Sequence, residues 1–353
     1  MMTEVHSGCC NRKSAPSYND LIASTWRHAD GGIEKGPSLL RELVRYATLA
    51  ANSHNTQPWR FKLDAEQIII LPDFSRRCTA VDPDDHHLFV SLGCATENLV
   101  LAAQAHGLHA HVALPGPSED TIRIDLETSK SAESVMFHAI PERQCTRATY
   151  DGKAVPTEQL TELEAIAQDE GVSVQVFTDH QQMEKILDYV IAGNSAQMKD
   201  EAFIRELKHW IRFNESAVVE HHDGLYAASS GNPTLPSWLG NLVLKFALTE
   251  TRENDKYREH IRSSPGIIAF SSTHNDKNNW IRVGRSYQRF ALQATAFGVR
   301  HAHINQAVEV PEVRAQFAQY LGIGDQRPDL LVRFGYGPLM PRSVRRPIDQ
   351  VLL

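Results

Sequence analysis

From residue 37 onward, apolar positions recur with the periods of helices and strands. A first amphipathic helix is predicted from apolar residues at helical spacing: Leu39, Leu40, Leu43, Ala47 and Ala50. Ser38 is a residue type favoured as an N-cap, and it precedes this run. Residues 59–63 and 67–71 then show the pattern of two short strands, which predicts a hairpin after the helix.

A second, longer helix is predicted after residue 81. The sequence Asp82-Pro83-Asp84-Asp85 combines a capping aspartate, a proline suited to the first turn and acidic residues at the positive end of the helix dipole. Apolar residues continue to Gly107, a residue type that commonly ends helices. At about 1.5 Å per residue, such a helix would be roughly 35 Å long and could cross a domain.

The same elements recur later in the chain. Gly93 and Gly107 are fourteen residues apart, as are Gly284 and Gly298, and apolar positions between them correspond. A short helix at 158–167 and a strand at 172–177 also match the first helix and its strand. We therefore predict a tandem duplication, with units at 36–135 and 136–353.

Unit two also contains a long insertion, at about 181–264. Residues 203–220 are predicted to be helical, and 227–236 form a loop rich in Ser, Gly, Asn and Pro. A long irregular segment in a compact domain is often a functional lid. A variable surface excursion is the alternative at this point.

Composition and charge exclude several classes of protein. A net charge of −7 over 353 residues argues against a nucleic-acid-binding protein, and no run of 18 apolar residues predicts a membrane span. Residues 1–35 are polar and lack a signal-peptide pattern, so we expect a loosely held tail and a cytoplasmic protein. Five scattered cysteines, including Cys9-Cys10, and the histidine spacings predict neither disulfides nor a metal site.

The most informative stretch is the polar turn at 52–61. It resembles the flavin-contacting signature "PSxxNxQPW" of the nitroreductase superfamily, through Ser53-x-Asn55-x-Gln57-Pro58-Trp59. Asn52 stands where that family usually has proline. The resemblance implies that Ser53, Asn55, Gln57 and Trp59 contact a bound FMN.

Three further segments resemble the same family in the same order. Residues 143–147 are similar to its basic "RxSxR" segment, with Cys145 in place of the usual hydroxyl residue. The resemblance implies that Arg143, Thr146 and Arg147 hold the FMN phosphate and the pyrimidine edge of the ring, where Arg147 would also stabilise negative charge on the reduced flavin. Guanidinium groups suit that task because they meet phosphate with paired hydrogen bonds. Near the C-terminus, Arg345 and Arg346 correspond to basic residues that also reach the phosphate. Finally, Asn305 and Gln306 correspond by position to a segment that passes under the flavin ring.

The resemblance implies a fold class and an assembly. It predicts an α+β, nitroreductase-like three-layer α/β/α fold, built as two fused repeats that form a pseudo-dimer, as in the Acg-like branch. The polar turn lies in unit one, whereas the clear basic segment lies in unit two. We therefore expect one composite FMN site in a monomeric chain, although a homodimer remains possible.

The resemblance also implies the activity of an FMN-dependent NAD(P)H oxidoreductase. NADH or NADPH would reduce FMN, and a small-molecule acceptor such as a nitroaromatic or a quinone would then be reduced. No catalytic acid or base is predicted, because the flavin carries the redox chemistry. Two alternatives stay open: an FMN-binding storage protein whose insertion covers the flavin, and a protein that keeps the signature but binds no flavin.

Overall fold

The computed structural model describes residues 16–29, 36–116 and 118–353. Most of the predicted tail, including Cys9-Cys10, lies outside these residues. Within 16–29, however, the chain forms helix α1 (Tyr18–Thr25), which begins with a capping box at Ser17. The Tyr18 hydroxyl donates to the carbonyl of Arg342 over 2.7 Å, so this part of the tail is fixed against the C-terminal segment.

Unit one consists of helices followed by short antiparallel strands, as the hydrophobic pattern predicts. Its elements are α2 (Pro37–Thr48), β1 (Trp59–Asp64), β2 (Gln67–Pro72), α3 (His86–Ala105), β3 (Leu108–Ala113), β4 (Ile122–Thr128) and α4 (Val135–Ala139).

Unit two begins with the predicted helix and strand and then enters the insertion. These elements are α5 (Thr157–Ala167), β5 (Val172–Phe177), α6 (His180–Lys199), α7 (Glu201–Trp210), β6 (Ile211–Arg212), α8 (Glu215–His221), β7 (Leu225–Tyr226), α9 (Ser237–Ala247) and α10 (Glu250–Arg262). The chain then returns to the unit through β8 (Gly266–Ser272), α11 (Lys277–Ala296), β9 (Arg300–His303), α12 (Gln306–Glu309), α13 (Pro311–Leu321) and β10 (Arg327–Gly335).

The two units have the same sheet topology. Among the described residues, the sheet of unit one has the strand order β1-β2-β4-β3, and that of unit two has the order β5-β8-β10-β9. All pairings within these two sheets are antiparallel. In each unit a twenty-residue helix, α3 or α11, connects the second strand to the third. The α+β architecture of two fused units is therefore confirmed.

The layers differ between the units. In unit two, α11 covers one face of the sheet, and a second core of residues from α6, α13 and the strands covers the other. This unit has three layers. In unit one, α2 and α3 cover one face, while the other face presents the exposed side chains of Arg123, Asp125 and Glu127 to solvent.

The long helices α3 and α11 pack against each other at the centre of the molecule. They meet at Gly93 and Gly284, the glycines that correspond in the repeat. A Cβ atom on Gly93 would lie 2.1 Å from the carbonyl oxygen of Ile281, and one on Gly284 would lie 2.0 Å from that of Val90. Only glycine permits this backbone approach.

Polar pairs flank the crossing and fix its register. The buried carboxylate of Glu97 accepts from Arg285 at 2.8 Å and also pairs with Arg289. The amide of Gln288 donates to Asn98 over 2.7 Å. Each bond joins one unit to the other, so the two units share one core rather than touching at a loose interface.

Three local predictions need correction. Helix α2 begins at Pro37 after Gly36, so Ser38 is not its N-cap. Helix α3 begins at His86 rather than Asp82, although the Asp82 carboxylate still accepts from the backbone N–H groups of the first turn. The predicted helix at 203–220 is divided, because α7 ends at Trp210 and a short strand separates it from α8.

Helix α3 is the one helix in the described part of the chain that is long and apolar enough to cross a membrane. Of its most apolar stretch, 89% is buried inside the protein, as in the core helix of many globular proteins.

Replacing Gly284 by valine should destabilise the fold. In an ordinary helix interior, replacing glycine stabilises the helix by up to about 1 kcal/mol, with alanine giving the largest gain and β-branched valine a smaller one. Here the added atoms would collide with the Val90 carbonyl, so we expect the free energy of unfolding to fall by about 1–3 kcal/mol or more. Urea denaturation measures this change. Gln104→Ala, on the exposed face of α3, is the control and should change it by less than about 0.5 kcal/mol. A neutral or stabilising Gly284→Val would contradict the crossing.

Candidate active site

A cavity of about 410 Å³ lies between the two units and the insertion. Unit one contributes the polar turn and the first half of α3, including Ser91 and Cys94. Unit two contributes Tyr287 from α11 and the segment 302–306 after β9. A cavity of this size is within the usual range for a small-molecule or cofactor site.

A smaller pocket of about 80 Å³ adjoins the cavity and is strongly basic. The two share lining residues, which makes them continuous: Ala51, Asn52, Arg147, Leu225 and His303. Four arginines line the small pocket: Arg143, Arg147, Arg342 and Arg345.

The arginines reach this pocket because both of their segments extend a sheet edge. Cys145 forms a bridge with His301 of β9, and Leu352 forms one with Phe61 of β1. The first bridge holds residues 143–147 in place. The second returns the C-terminal segment of unit two to unit one, so that it brings Arg345 beside the polar turn.

The polar turn has an unusual backbone. His54, Asn55 and Gln57 have φ angles of 49°, 53° and 54°, in the left-handed region that non-glycine residues rarely adopt. Each such residue costs of order 1 kcal/mol or more, so the surrounding structure must stabilise the turn. The Asn52 side chain contributes, because its Oδ1 accepts from the Gln57 N–H over 2.9 Å.

The amides of Asn55 and Gln57 also stabilise the turn. Asn55 Nδ2 donates to the carbonyls of Gly224 and Val344, each over 3.1 Å. Gln57 Nε2 donates to the carbonyl of His222, and its Oε1 accepts from the Arg346 N–H. These bonds join the turn to both the insertion and the C-terminal segment.

Four predicted site residues do not line the cavity or the basic pocket. Gln57 is fully buried among the partners described above, and Trp59 is fully buried in the core of unit one. Thr146 is also fully buried. Arg346 donates to the carbonyls of Gln57 and Gln350, away from the pocket. Protein groups surround the side chains of these four residues, so direct contact between them and a cofactor stays a prediction that their placement does not favour.

The other seven predicted residues line the two spaces, with unequal freedom to bind a ligand. They are Ser53, Asn55, Arg143, Arg147, Asn305, Gln306 and Arg345. The Arg345 guanidinium already donates to the carbonyls of Thr48 and Ala50 and to Asn55 Oδ1. Each of its three nitrogens already donates to the protein, so most of its five N–H donors are used and its charge is its main contribution to the pocket.

Arg143 and Arg147 have donors to spare. Arg143 makes one hydrogen bond, to the Leu49 carbonyl over 3.0 Å, and its buried Nε has no partner in the described structure. Among the described residues, none accepts a hydrogen bond from the Arg147 guanidinium or pairs with it. Because Arg147 lines both spaces, its charge acts at their junction.

The positive charge in the small pocket is poorly compensated. Burial and the charges of Arg143 and Arg342 lower the pKa of Arg345 well below its ordinary value. Glu142 pairs with Arg342 over 3.1 Å but is mostly exposed, so it offsets little of this field. An anion is the ligand that such a pocket favours.

In the segment after β9, Asn305 is mainly structural. Its Oδ1 accepts from the Leu331 N–H over 2.9 Å. Gln306 donates to the Tyr257 hydroxyl of the insertion, while its buried Oε1 has no partner among the described residues. His303 precedes them, and its Nδ1 likewise has no described partner, so this segment presents unused polar atoms beside the cavity.

The insertion forms one wall of the cavity. Its lining side chains are mostly apolar: Met198, Phe203, Leu207, Ile211, Phe213, Leu235, Val243, Leu244 and Leu248. This placement favours the lid interpretation over a surface excursion, because a surface excursion would not contribute a wall.

Several cavity residues were not predicted from the sequence. His54 and His87 face the cavity from unit one, and His260 and Lys256 face it from the insertion. Trp26 closes the basic pocket, with the guanidiniums of Arg342 and Arg345 centred 5.0 and 4.8 Å from its ring. His54 could have been found, because it lies inside the signature, but lone histidines elsewhere in the sequence carry no such signal.

The cavity histidines are neutral near pH 7. Burial, with the charge of Arg147, lowers the pKa of His54 to about 4. Burial and Arg147 also lower the pKa of His303 to about 3. The positive potential therefore comes from arginines and from Lys256, whose own pKa is lowered by burial and by Arg147 and Arg333.

Comparison with known proteins gives a consistent result. No family model matches the chain. A Mycobacterium tuberculosis (strain H37Rv) protein provisionally named NAD(P)H nitroreductase Rv3131 is 26% identical over 326 residues, which cover 89% of this chain and 90% of that protein. The protein provisionally named NAD(P)H nitroreductase acg, from the same strain, is 24% identical over 328 residues, covering 89% and 95%.

Solved structures of smaller proteins are also similar. An FMN-bound nitroreductase from Bacteroides fragilis has a TM-score of 0.38 and 17% identity, covering 60% of this chain and 94% of its own. The FMN-dependent nitroreductase NfnB from Mycobacterium smegmatis, in complex with NADPH, has a TM-score of 0.41 and 12% identity, covering 61% and 96%.

The relatives from Mycobacterium tuberculosis match the chain over nearly its whole length, and therefore through both units. The signature turn and the basic segment 143–147 meet at one site, as the resemblance requires. These comparisons support the resemblance to the nitroreductase superfamily that the two segments carry.

Proposed function

We propose that the chain is a cytoplasmic FMN-binding oxidoreductase, which takes reducing equivalents from NADH or NADPH and passes them to a nitroaromatic or quinone acceptor. The observation that carries this proposal is the continuity of a basic pocket with a larger, mostly apolar cavity. One ligand that has a dianionic end and a flat aromatic end would fill both. The relatives from Mycobacterium tuberculosis are provisionally named NAD(P)H nitroreductases, which supports NADH or NADPH as the electron donor.

The residues present suit the phosphate end of FMN. Within the described ranges, Arg143 Nε has no partner, and the Arg147 guanidinium makes no hydrogen bond or ion pair. Phosphate carries close to two negative charges near neutral pH, which the field of the four arginines would stabilise. Arg345 and Arg342 would add charge while holding the walls of the pocket. We propose that this pocket, the one basic site in the described structure that joins the cavity, binds one FMN per chain.

The flavin ring would lie in the larger cavity and would supply the redox chemistry. The protein's task is then to position the ring and to control charge at its edge. Arg147, at the junction of the two spaces, is placed to stabilise negative charge there. His303, neutral near pH 7, can exchange one hydrogen bond with a ligand without adding charge.

A second candidate function rests on the insertion. Because its apolar side chains form a wall of the cavity, a nicotinamide or an acceptor must pass this wall or displace it. If the wall does not move, the protein would hold FMN without turnover and serve as a flavin store. The two functions share the cofactor site and differ in access to it.

Arg147→Ala should weaken FMN binding without weakening the fold. No protein group in the described structure depends on this guanidinium, and a charge-assisted hydrogen bond contributes about 1.5–3 kcal/mol, so we expect a loss of about 10-fold to 150-fold in affinity. Adding Arg143→Ala should abolish retention of FMN on purification. Fluorescence titration measures the affinity, with one FMN per chain at saturation in the wild type.

Arg123→Ala provides the matched control, since Arg123 is half-exposed on β4 and does not line either space. It should leave FMN affinity unchanged. Wild-type affinity in the Arg143→Ala, Arg147→Ala double variant would rule out the phosphate assignment.

Reduction by NADH or NADPH under anaerobic conditions separates the enzyme from the store. We expect rapid bleaching of the flavin absorbance in the wild type if the wall opens. Replacing Phe203 and Leu207 by alanine should accelerate bleaching several-fold, because both side chains line the cavity from α7. Arg205→Ala, exposed on the same helix, should have no effect.

The opposite result is equally clear. Flavin that dithionite reduces, but that NADH and NADPH leave oxidised in the wild type and in the Phe203→Ala, Leu207→Ala variant, would reject the oxidoreductase and support storage. Colourless protein that FMN cannot reconstitute would reject both.

A further inference from the structure

Three potential metal ligands converge at the start of α3, outside the proposed FMN pocket. They are Asp82, His86 and His87, whose donor atoms all lie within 4.8 Å of one another. All three residues are buried. The histidines are adjacent in sequence and Asp82 lies four residues before them, a spacing that matches no common metal motif, which is why the sequence predicted no site.

The imidazole of His86 has the hydrogen-bonding pattern of a metal ligand. His86 Nε2 lies 2.7 Å from a carboxylate oxygen of Asp329, while its Nδ1 is buried without a partner in the described structure. Metal-bound histidines typically donate their second ring nitrogen to a carboxylate in this way, which leaves the first free to ligate. His87 Nε2 is also buried and unpartnered.

These two nitrogens distinguish the cluster from an ordinary helix cap. A capping role explains Asp82, whose oxygens accept from the backbone N–H groups of His87 and Leu88 over 2.9 and 3.0 Å. It does not explain two buried imidazole nitrogens that lack partners, because an unmet buried polar atom costs about 1–3 kcal/mol. A bound cation would remove this cost at each nitrogen that ligates it, and His87 also has its Nδ1 4.0 Å from a carboxylate oxygen of Asp82.

Arg327 Nε lies 3.8 Å from the Asp329 oxygen that His86 Nε2 contacts, so the negative charge available to a cation at this cluster comes from Asp82 and Glu309. In the described structure, Asp82 and Glu309 form no ion pair with a lysine or an arginine, and the Glu309 carboxylate accepts from the Gln197 amide instead. Glu309 and His87 both line the large cavity, which gives an ion a route to the cluster.

We propose that Asp82, His86 and His87 bind one divalent transition metal ion of the zinc class. Two imidazoles and one carboxylate suit Zn²⁺ and its neighbours, and they do not suit Mg²⁺ or Ca²⁺, which prefer oxygen donors. Zinc holds such donors at about 2.0–2.2 Å, so the side chains must draw together slightly on binding. Three protein ligands leave a coordination position for water on the cavity side.

Zinc binding to the full-length protein tests this proposal. Protein stripped with a chelator should bind one Zn²⁺ per chain, measured by competition with a chromophoric indicator and by elemental analysis. Replacing both His86 and His87 by glutamine should reduce the affinity at least about 100-fold. Asp329→Asn, which alters only the carboxylate behind His86, should reduce it by about 10-fold to 100-fold.

Two further variants make the test specific. Asp82→Asn retains an oxygen that can cap α3 but removes the anionic ligand, so it should lose zinc while its thermal unfolding stays cooperative. His109 and His111 form an exposed pair with ring centres 4.4 Å apart, beside Glu127. Replacing this pair by glutamine should leave the single zinc in place.

The result that overturns the proposal is a wild type that binds no zinc at micromolar concentration. Undiminished binding in both the Asp82→Asn variant and the His86→Gln, His87→Gln variant would overturn it equally. If the variant lacking His109 and His111 loses the single equivalent, the binding is an exposed-histidine effect and the proposal is wrong.

Discussion

The rest of the structure depends on the close approach of α3 and α11 at Gly93 and Gly284. The carbonyl oxygens of Val90 and Ile281 occupy the space that side chains would need at these positions. Val90, Ser91 and Cys94 on α3 and Tyr287 on α11 line the large cavity. The crossing therefore determines both the joining of the units and the inner surface of the site.

A second constraint is the strain in the polar turn. Three residues hold left-handed backbone angles there, and the hydrogen bonds of Asn55 and Gln57 stabilise them. Since those bonds reach the insertion and the C-terminal segment, the turn is correctly shaped only when the whole chain has folded. The signature amides contribute to a flavin site indirectly, by holding Ser53 and His54 at the cavity.

The arginines of the site also fall into a structural group and a group that can bind a ligand. Arg345 and Arg346 donate to backbone carbonyls, whereas Arg143 and Arg147 have N–H donors without a partner among the described residues.

The repeat and its strands could be predicted because they depend on local pattern. Helical spacing at Leu39 and Leu43 and strand residues at 172–177 produce elements at those positions in the structure. The correspondence of Gly93 and Gly284 was visible, but their contact was not, because sequence does not show which helices cross. The sequence predicted that α3 starts at Asp82, whereas it starts at His86. Asp82 still caps the helix, but from four residues before its start, because the intervening turn includes Asp85 with a φ angle of 60°.

Site residues were harder to assign, because a motif records residue type and not direction. Trp59 and Gln57 belong to the signature as firmly as Ser53, yet both point into protein. Trp26 lies in a polar segment with no regular pattern, and only the tertiary contact with Arg342 and Arg345 shows its place at the basic pocket. Distant pairings of this kind leave no local trace.

The insertion affects both the electrostatics of the cavity and the access of ligands to it. Its apolar wall excludes water from one side of the cavity, and in a low-dielectric space the charge of Arg147 acts more strongly than it would in water. The same wall restricts the entry of ligands to the cavity. A wall that strengthens the electrostatic effect of Arg147 therefore also slows the exchange of ligands. The insertion also brings Lys256 into the cavity, where the charges of Arg147 and Arg333 already act on it. Motion of α7 to α10 would therefore change the polarity and the positive charge of the cavity together, and under the proposed function such motion would distinguish turnover from storage.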